Sequence, residues 1–327
     1  MNSREHVKVL DGWRGVSILL VLAAHLLPLG PSRDWNLNVQ VGVAGMVIFF
    51  VLSGFLITSI LLREESIGDF LARRAFRVLP LAWLYLMIAL SIDGASLKAW
   101  LAHYFFYANL PPQDLVPLTA HMWSVCVEMQ FYLGIAALAA AFGPRGFLLL
   151  PVLCIAFTGM RAWNGVYASS ITYFRIDELL AGCILALVYH GRMGAPLLRC
   201  LKAVPQWSLL LLLVLSCFDA GWLPYFRPYL AAALVGATLL NGDSLLVRWL
   251  NVRPLIYIAG ISYALYVLHP LLADSWLGSG DLLEKYVKRP LLFAALFAAA
   301  HFSTYYYERQ WISFGKRISV RFVPASR

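Results

Sequence analysis

Long apolar runs separated by short polar or helix-breaking segments set the pattern of this chain. Ten runs are long enough to cross, or nearly cross, a bilayer: 11–29, 41–62, 76–92, 119–142, 146–160, 175–190, 207–220, 225–241, 254–275 and 290–311. A full crossing takes roughly 20 residues, so 146–160 and 207–220 are short and are expected to pack inside the bundle. Between the runs or near their ends stand Pro28, Gly30 and Pro31, Pro111 and Pro112, Gly143 and Pro144, Pro205, Pro224 and Pro228, and Pro290. These are residues that end or bend helices. The stretch 94–110 is aromatic but interrupted by charge, and reads as an interfacial or re-entrant helix. Trp and Tyr gather near the ends of the runs, as at a membrane interface. The pattern predicts an all-α, polytopic transmembrane helix bundle of about ten spans. It forms a single domain, 1–327, with no appended soluble domain.

Composition agrees. Apolar residues make up 61% of the 327 and charged residues 13%, against about half and a quarter in soluble domains. That excludes disorder, a disulfide scaffold and an ordinary cytosolic enzyme. The net charge of +9 gains a meaning once the runs are placed. With the N-terminus inside, most Lys and Arg fall in segments on that same side. This puts both termini in the cytoplasm and assigns the basic excess to topology, not to nucleic acid. The five cysteines are scattered, without a CxxC or zinc-like spacing. They read as small buried hydrophobes, with no metal site and no permanently bound cofactor. Trp13, Arg14 and His25 interrupt the first run, which argues against a cleavable signal peptide.

Ionisable groups inside a bilayer are functional candidates, because a charge at mid-bilayer costs about 2.5–3.5 kcal/mol. His25 lies in the outer part of the first span. Arg14 lies three helical turns earlier on nearly the same face, roughly 16 Å away along the axis. Glu128 sits about 8–10 Å below the outer entrance marked by His121 and Trp123. His269 lies in the outer half of the ninth span, and Arg175, Asp177 and Glu178 begin the sixth at the outer surface. On the inner side, Arg73, Arg74 and Arg77 precede the third span at i, i+1 and i+4 and can converge on one ligand. Arginine suits phosphate through bidentate hydrogen bonding. Taken together, these groups describe a phosphorylated donor bound from the cytoplasm and an acceptor hydroxyl arriving from outside. A neutral imidazole, His25, takes that proton and a carboxylate partner supports it. Ser124, Tyr266, His269 and backbone amides all remain candidates for the oxyanion stabiliser. A transporter of a sugar, a lipid-linked intermediate or an anion would line its pathway with the same groups. Such proteins more often show internal repeats, and none is visible here.

The residues also resemble a known family. LDGWRGVSILLVLAAHLLPLG (10–30) is similar to the opening signature of the acyltransferase-3 family of membrane O-acyltransferases, with Arg14 and His25 on its basic-x10-His motif. VIFFVLSGFLIT (47–58), FLARRAFRVLP (70–80), MWSVCVEMQFYL (122–133), RIDELLAG (175–182) and ISYALYVLHPLL (261–272) resemble further elements of that family, in the same order. The resemblance implies transfer of an acyl group, acetyl above all, from cytoplasmic acyl-CoA to a hydroxyl. The acceptor would be a carbohydrate such as a cell-surface polysaccharide or lipo-oligosaccharide, at a bacterial inner membrane. It puts His25 at the chemistry, with Arg14, Arg74 and Arg77 as essential basic groups. Joined to the polar groups placed above, this gives His25 as general base oriented by Glu128, with Arg14, Arg73, Arg74 and Arg77 on the donor phosphates. Asp11, Trp123, Ser124, Arg175, Asp177, Tyr266 and His269 are placed in substrate-binding or supporting roles. Met129 and Cys126 stand where the family's VEEQ element has a second glutamate and a serine, so Glu128 alone must supply the carboxylate. Direct transfer and an acyl-histidine intermediate both remain open.

Overall fold

The computed structural model describes residues 3–30, 37–63 and 66–319; the predicted breaker Pro31 lies outside them. The described residues are mostly helical, with no strand among them. The helices are α1 (Ser3–Leu26), α2 (Asn38–Leu61), α3 (Ile67–Ile92), α4 (Leu97–Tyr104), α5 (Trp123–Phe142), α6 (Leu150–Trp163) and α7 (Ile176–Tyr189). They continue with α8 (Ala195–Ala203), α9 (Gln206–Leu215), α10 (Leu223–Leu240), α11 (Leu245–Leu250), α12 (Arg253–Ala273), α13 (Leu282–Phe302) and α14 (Arg309–Ser319). A π-helical turn, Ser303–Glu308, joins the last two.

Every predicted run is found as helix, but length separates them. Six helical runs are long and apolar enough to cross a membrane, or seven if the α8–α9 pair, bent by 84°, is one span. One of the six, Pro117–Trp163, contains two predicted runs, 119–142 and 146–160. Helix α7 has 14 residues, about 21 Å, against a hydrocarbon core of about 30 Å. Helix α13 carries Glu284, Lys285, Lys288 and Arg289 in its first two turns, which leaves too short an apolar stretch. The chain is a multi-pass helical membrane protein, with six to seven such helices among its described residues.

It divides into two compact units. The first comprises Met1–Leu62, Pro144–Ser169 and Tyr173–Gly260. Small residues let its helices meet at the backbone. A Cβ added at Gly54 of α2 would lie 1.9 Å from the Leu179 carbonyl oxygen, and one at Gly182 of α7 would lie 2.1 Å from that of Val51. This is the close approach that glycine permits in membrane helices. Gly12 and Gly15 of α1 face the Leu250 and Leu255 carbonyls in the same way, and Ser17 donates to the Gly45 carbonyl at 2.8 Å. Gly182→Ala is therefore expected to destabilise the fold by about 1–3 kcal/mol. At Gly159, where an added Cβ meets nothing within 4 Å, the same change should be neutral or slightly favourable. Thermal unfolding of the detergent-solubilised variants measures both. Four of the cysteines are buried and Cys200 is exposed; all are free thiols.

The second unit comprises Arg63–Gly143, Ser170–Thr172 and Ile261–Arg327. Helix α3 starts where the Ser66 side chain accepts from the Asp69 amide at 3.1 Å, the usual N-cap geometry. It runs unbroken through the three arginines and Pro80. Tyr263 and Tyr307 donate to the Val78 and Pro80 carbonyls at 2.7 and 3.2 Å. Helix α14 packs on the same helix, with the Phe76 and Phe314 rings 5.4 Å apart.

The aromatic stretch 94–110 forms α4, too short to cross a bilayer, followed by irregular chain. Its His103 is buried. Nδ1 donates to the Ala99 carbonyl at 2.7 Å and Nε2 accepts from the Thr119 hydroxyl at 2.7 Å. Burial pushes the imidazole below its ordinary range, opposed by the Ala99 carbonyl and by Asp114. The unfolded chain therefore takes up a proton, below about pH 6.5, that the folded chain resists. Stability from this group is complete above that pH and declines as pH falls through it. The melting temperature should drop between pH 7.5 and 5, with a smaller drop in His103→Gln.

Candidate active site

In the first unit, α1 carries Arg14 and His25 on one continuous helix, so their separation along the axis is the three turns read from the sequence. Arg14 lies 3.7 Å from Asp11, an ion pair at i,i+3 with both side chains partly exposed. The His25 ring is exposed, while Val21, Leu22 and Leu26 beside it are buried. Its Nδ1 lies 2.9 Å from the Val21 carbonyl. A carbonyl only accepts, so Nδ1 carries the hydrogen and Nε2 is the basic nitrogen. The tautomer is thus set within the helix itself. The turn that holds it is closed by Asn38, whose side-chain amide donates to the Ala24 and Leu27 carbonyls at 2.5 and 2.7 Å. Its oxygen accepts from the Leu29 amide at 3.1 Å. One side chain thus satisfies carbonyls that a helix end leaves without intrahelical partners.

The predicted group at the start of α7 forms buried ion pairs. Arg175, Asp177 and Glu178 are buried, at 2%, 1% and 0% exposure. Arg175 pairs with Glu178 at 3.2 Å, and Asp177 with Arg161 of α6 at 2.9 Å. Arg161 and Arg227 are both fully buried. Arg227 donates to the Tyr167 carbonyl at 2.6 Å and lies over the Tyr167 ring, as Arg161 does over Tyr225. In an apolar interior a charge persists when it is paired, as Arg161 is with Asp177 and Arg175 with Glu178.

In the second unit, α5 starts at a half-buried Trp123 and presents Ser124, Glu128 and Tyr132 at successive i+4 positions on one face. The buried Glu128 accepts from the Tyr132 hydroxyl at 2.5 Å. The Arg74 guanidinium lies 5.8 Å from the centre of the Tyr132 ring. Arg73 and Arg74 are half-buried and Arg77 is exposed. Arg77 acts electrostatically on Glu308, a buried carboxyl that also accepts from Ser303 and Thr304 in the π-helical turn.

Ser124 donates to the Tyr266 hydroxyl at 2.6 Å, and Tyr266 donates to the His121 carbonyl. His269 Nδ1 donates to the Tyr266 carbonyl at 2.7 Å, leaving Nε2 as its acceptor. The His121 ring is buried between Tyr85, Tyr266 and His269, with ring centres 5.2–5.3 Å away. Three oxyanion candidates, Ser124, Tyr266 and His269, therefore form one hydrogen-bonded group.

Sequence reasoning did not single out Asn38, Tyr132, Arg161, Arg227 or Glu308, and took His121 as a marker of the entrance alone. The i+4 spacing from Glu128 would have found Tyr132. Arg161 and Arg227 gave no local signal, because their partners are distant in sequence.

An acyltransferase domain model matches residues 7–309. The peptidoglycan O-acetyltransferase OatA of Listeria monocytogenes is 27% identical, over 82% of this chain and 49% of its own. The putative peptidoglycan O-acetyltransferase YrhL of Bacillus subtilis is 28% identical, over 81% and 48%. The O-acetyltransferase OatA of Staphylococcus aureus is 25% identical, over 82% and 51%. The chain thus spans about half the length of these relatives. No solved structure matches it. With a family match over nearly its whole length, the chain belongs to the acyltransferase-3 family.

Proposed function

We propose that this protein is a membrane O-acetyltransferase that moves an acetyl group from cytoplasmic acetyl-CoA to a hydroxyl of a cell-envelope carbohydrate. The observation that carries the reading is His25, an exposed imidazole in a membrane helix whose Nδ1 is committed to the Val21 carbonyl and whose Nε2 is the basic nitrogen. In the reaction, Nε2 takes the acceptor's hydroxyl proton as its oxygen bonds to the thioester carbon. The tetrahedral intermediate then collapses. The carbon–sulfur bond breaks, and the CoA sulfur leaves with the proton held by the imidazolium. Glu128 supplies the carboxylate that supports the imidazolium, and the Ser124–Tyr266–His269 group supplies a donor to the developing oxyanion by exchanging one of its internal hydrogen bonds for the substrate oxygen. Arg14, Arg73, Arg74 and Arg77 bind the CoA phosphates.

The relatives' names support a carbohydrate of the cell wall as the acceptor class. The proposal includes ten spans in one domain, counting α7 and α13, whose apolar stretches fall short of a full bilayer thickness, with both termini in the cytoplasm and residence in a bacterial inner membrane. Membranes containing the protein, incubated with labelled acetyl-CoA, should incorporate acetyl ester into envelope carbohydrate. Mass spectrometry should show a gain of one acetyl unit that membranes lacking the protein do not show. No gain in either assay overturns the reading.

A further inference from the structure

We propose that Tyr132 is a positioning residue that fixes the Glu128 carboxylate and ties it to the donor-binding Arg74. This rests on the roles given above to Glu128 and Arg74. Tyr132 follows Glu128 by one helical turn, so its hydroxyl reaches the carboxylate on the same face of α5, at 2.5 Å. Its ring is 2% exposed. On one side the ring meets Phe70 of α3 edge-on, with centres 6.0 Å apart. On another side it meets the Arg74 guanidinium, one turn further along α3. A single rigid side chain therefore touches the carboxylate through its oxygen and the arginine through its π face.

Two other tyrosines of the same unit, the buried Tyr85 and the half-buried Tyr263, behave differently. Tyr85 and Tyr263 send their hydroxyls to the main-chain carbonyls of Leu118 and Val78, which is how a packing tyrosine satisfies its polar atom. Tyr132 spends its hydroxyl on an acid instead. A hydrogen bond to a charged group is about twice as strong as a neutral one. A ring with two torsions costs little entropy to hold still. A guanidinium over a tyrosine face is attracted by the ring's negative π cloud and is held where a phosphate can reach its edge. The two halves of the side chain thus predict two separable defects.

The test uses the full-length protein in native membranes, with acetyl-CoA as donor, the membrane's own acceptor, and CoA release as the readout. Tyr132→Phe keeps the ring and removes the hydroxyl. It should lower kcat about tenfold or more with the KM for acetyl-CoA unchanged. Tyr132→Leu removes the ring as well, and should raise that KM in addition to lowering kcat. In a Glu128→Gln background, Tyr132→Phe should cost nothing further, because the two residues act as one unit. A wild-type kcat in Tyr132→Phe alongside a slowed Glu128→Gln overturns the positioning role. So does a full additional loss in the double variant. A wild-type rate in Glu128→Gln overturns the catalytic reading itself, and this inference with it. Infrared difference spectra of the purified protein need no turnover. Wild type minus Tyr132→Phe should show a carboxyl-band shift that disappears in the Glu128→Gln background. The absence of that shift equally overturns the role.

Discussion

His25→Ala is expected to abolish most acetyl transfer while leaving the protein in the membrane at its normal level. A positioned general base contributes typically 10²–10⁴-fold, so the loss should fall in that range. The reason for normal accumulation is structural. The ring is exposed, and its Nδ1 bonds a carbonyl of its own helix. The surrounding core of Val21, Leu22 and Leu26 is untouched by its removal. His25→Gln is a sharper variant, since the amide can still donate to the Val21 carbonyl and yet cannot act as a base near neutral pH. Both variants should fail together. Labelled acetyl incorporation, normalised to protein detected by immunoblot, is the measurement. Near-wild-type transfer by either variant would remove His25 from the chemistry.

Arg161→Met is expected to have the largest effect on stability. The Arg161–Asp177 pair is 2.9 Å long, with the two side chains 0% and 1% exposed. Breaking such a pair from one side leaves a buried unpaired charge and costs about 3–5 kcal/mol. That is a large part of the roughly 5–15 kcal/mol that holds an ordinary domain together. The melting temperature in detergent should fall on the order of 10 °C, or the protein should fail to accumulate. The companion experiment is Arg161→Met with Asp177→Leu. Replacing both partners by apolar groups is often neutral or stabilising, so the double variant should recover most of the loss. Thr158, which also donates to Asp177 at 3.2 Å, would then be left beside an apolar side chain and keep its contact with Tyr229 at 3.0 Å. A single variant as stable as wild type would mean that the pair contributes nothing.

Much of the candidate site could be read along the chain, because its members fall in small sets that each share a helix. Arg14 and His25 sit eleven positions apart on α1, and helical periodicity alone aligns them. Arg73, Arg74 and Arg77 cluster on α3 for the same reason. The spans were less legible. Hydropathy marks α7 and α13 as apolar, but the ends of α7 fall short of a bilayer thickness and the first turns of α13 are charged. Whether a run is a full crossing depends on where its helix begins and ends, and capping and neighbouring charge decide that.

The all-helical membrane character follows from composition and periodicity. A chain this apolar must satisfy its backbone hydrogen bonds within each segment, and the helix is how a single segment does so in lipid. The location of the scarce polar groups within those helices follows as well, since position in sequence is position along an axis. Packing in three dimensions settled what those groups meet. Arg161 and Asp177 lie on different helices, and nothing local to either announces the other. The same holds for Tyr266 and Ser124, or Arg74 and Tyr132. The nitrogen of His25 that carries the proton was settled there too, by one carbonyl at 2.9 Å. Pairing and protonation depend on contacts of a few ångströms between atoms, and sequence distance does not measure them.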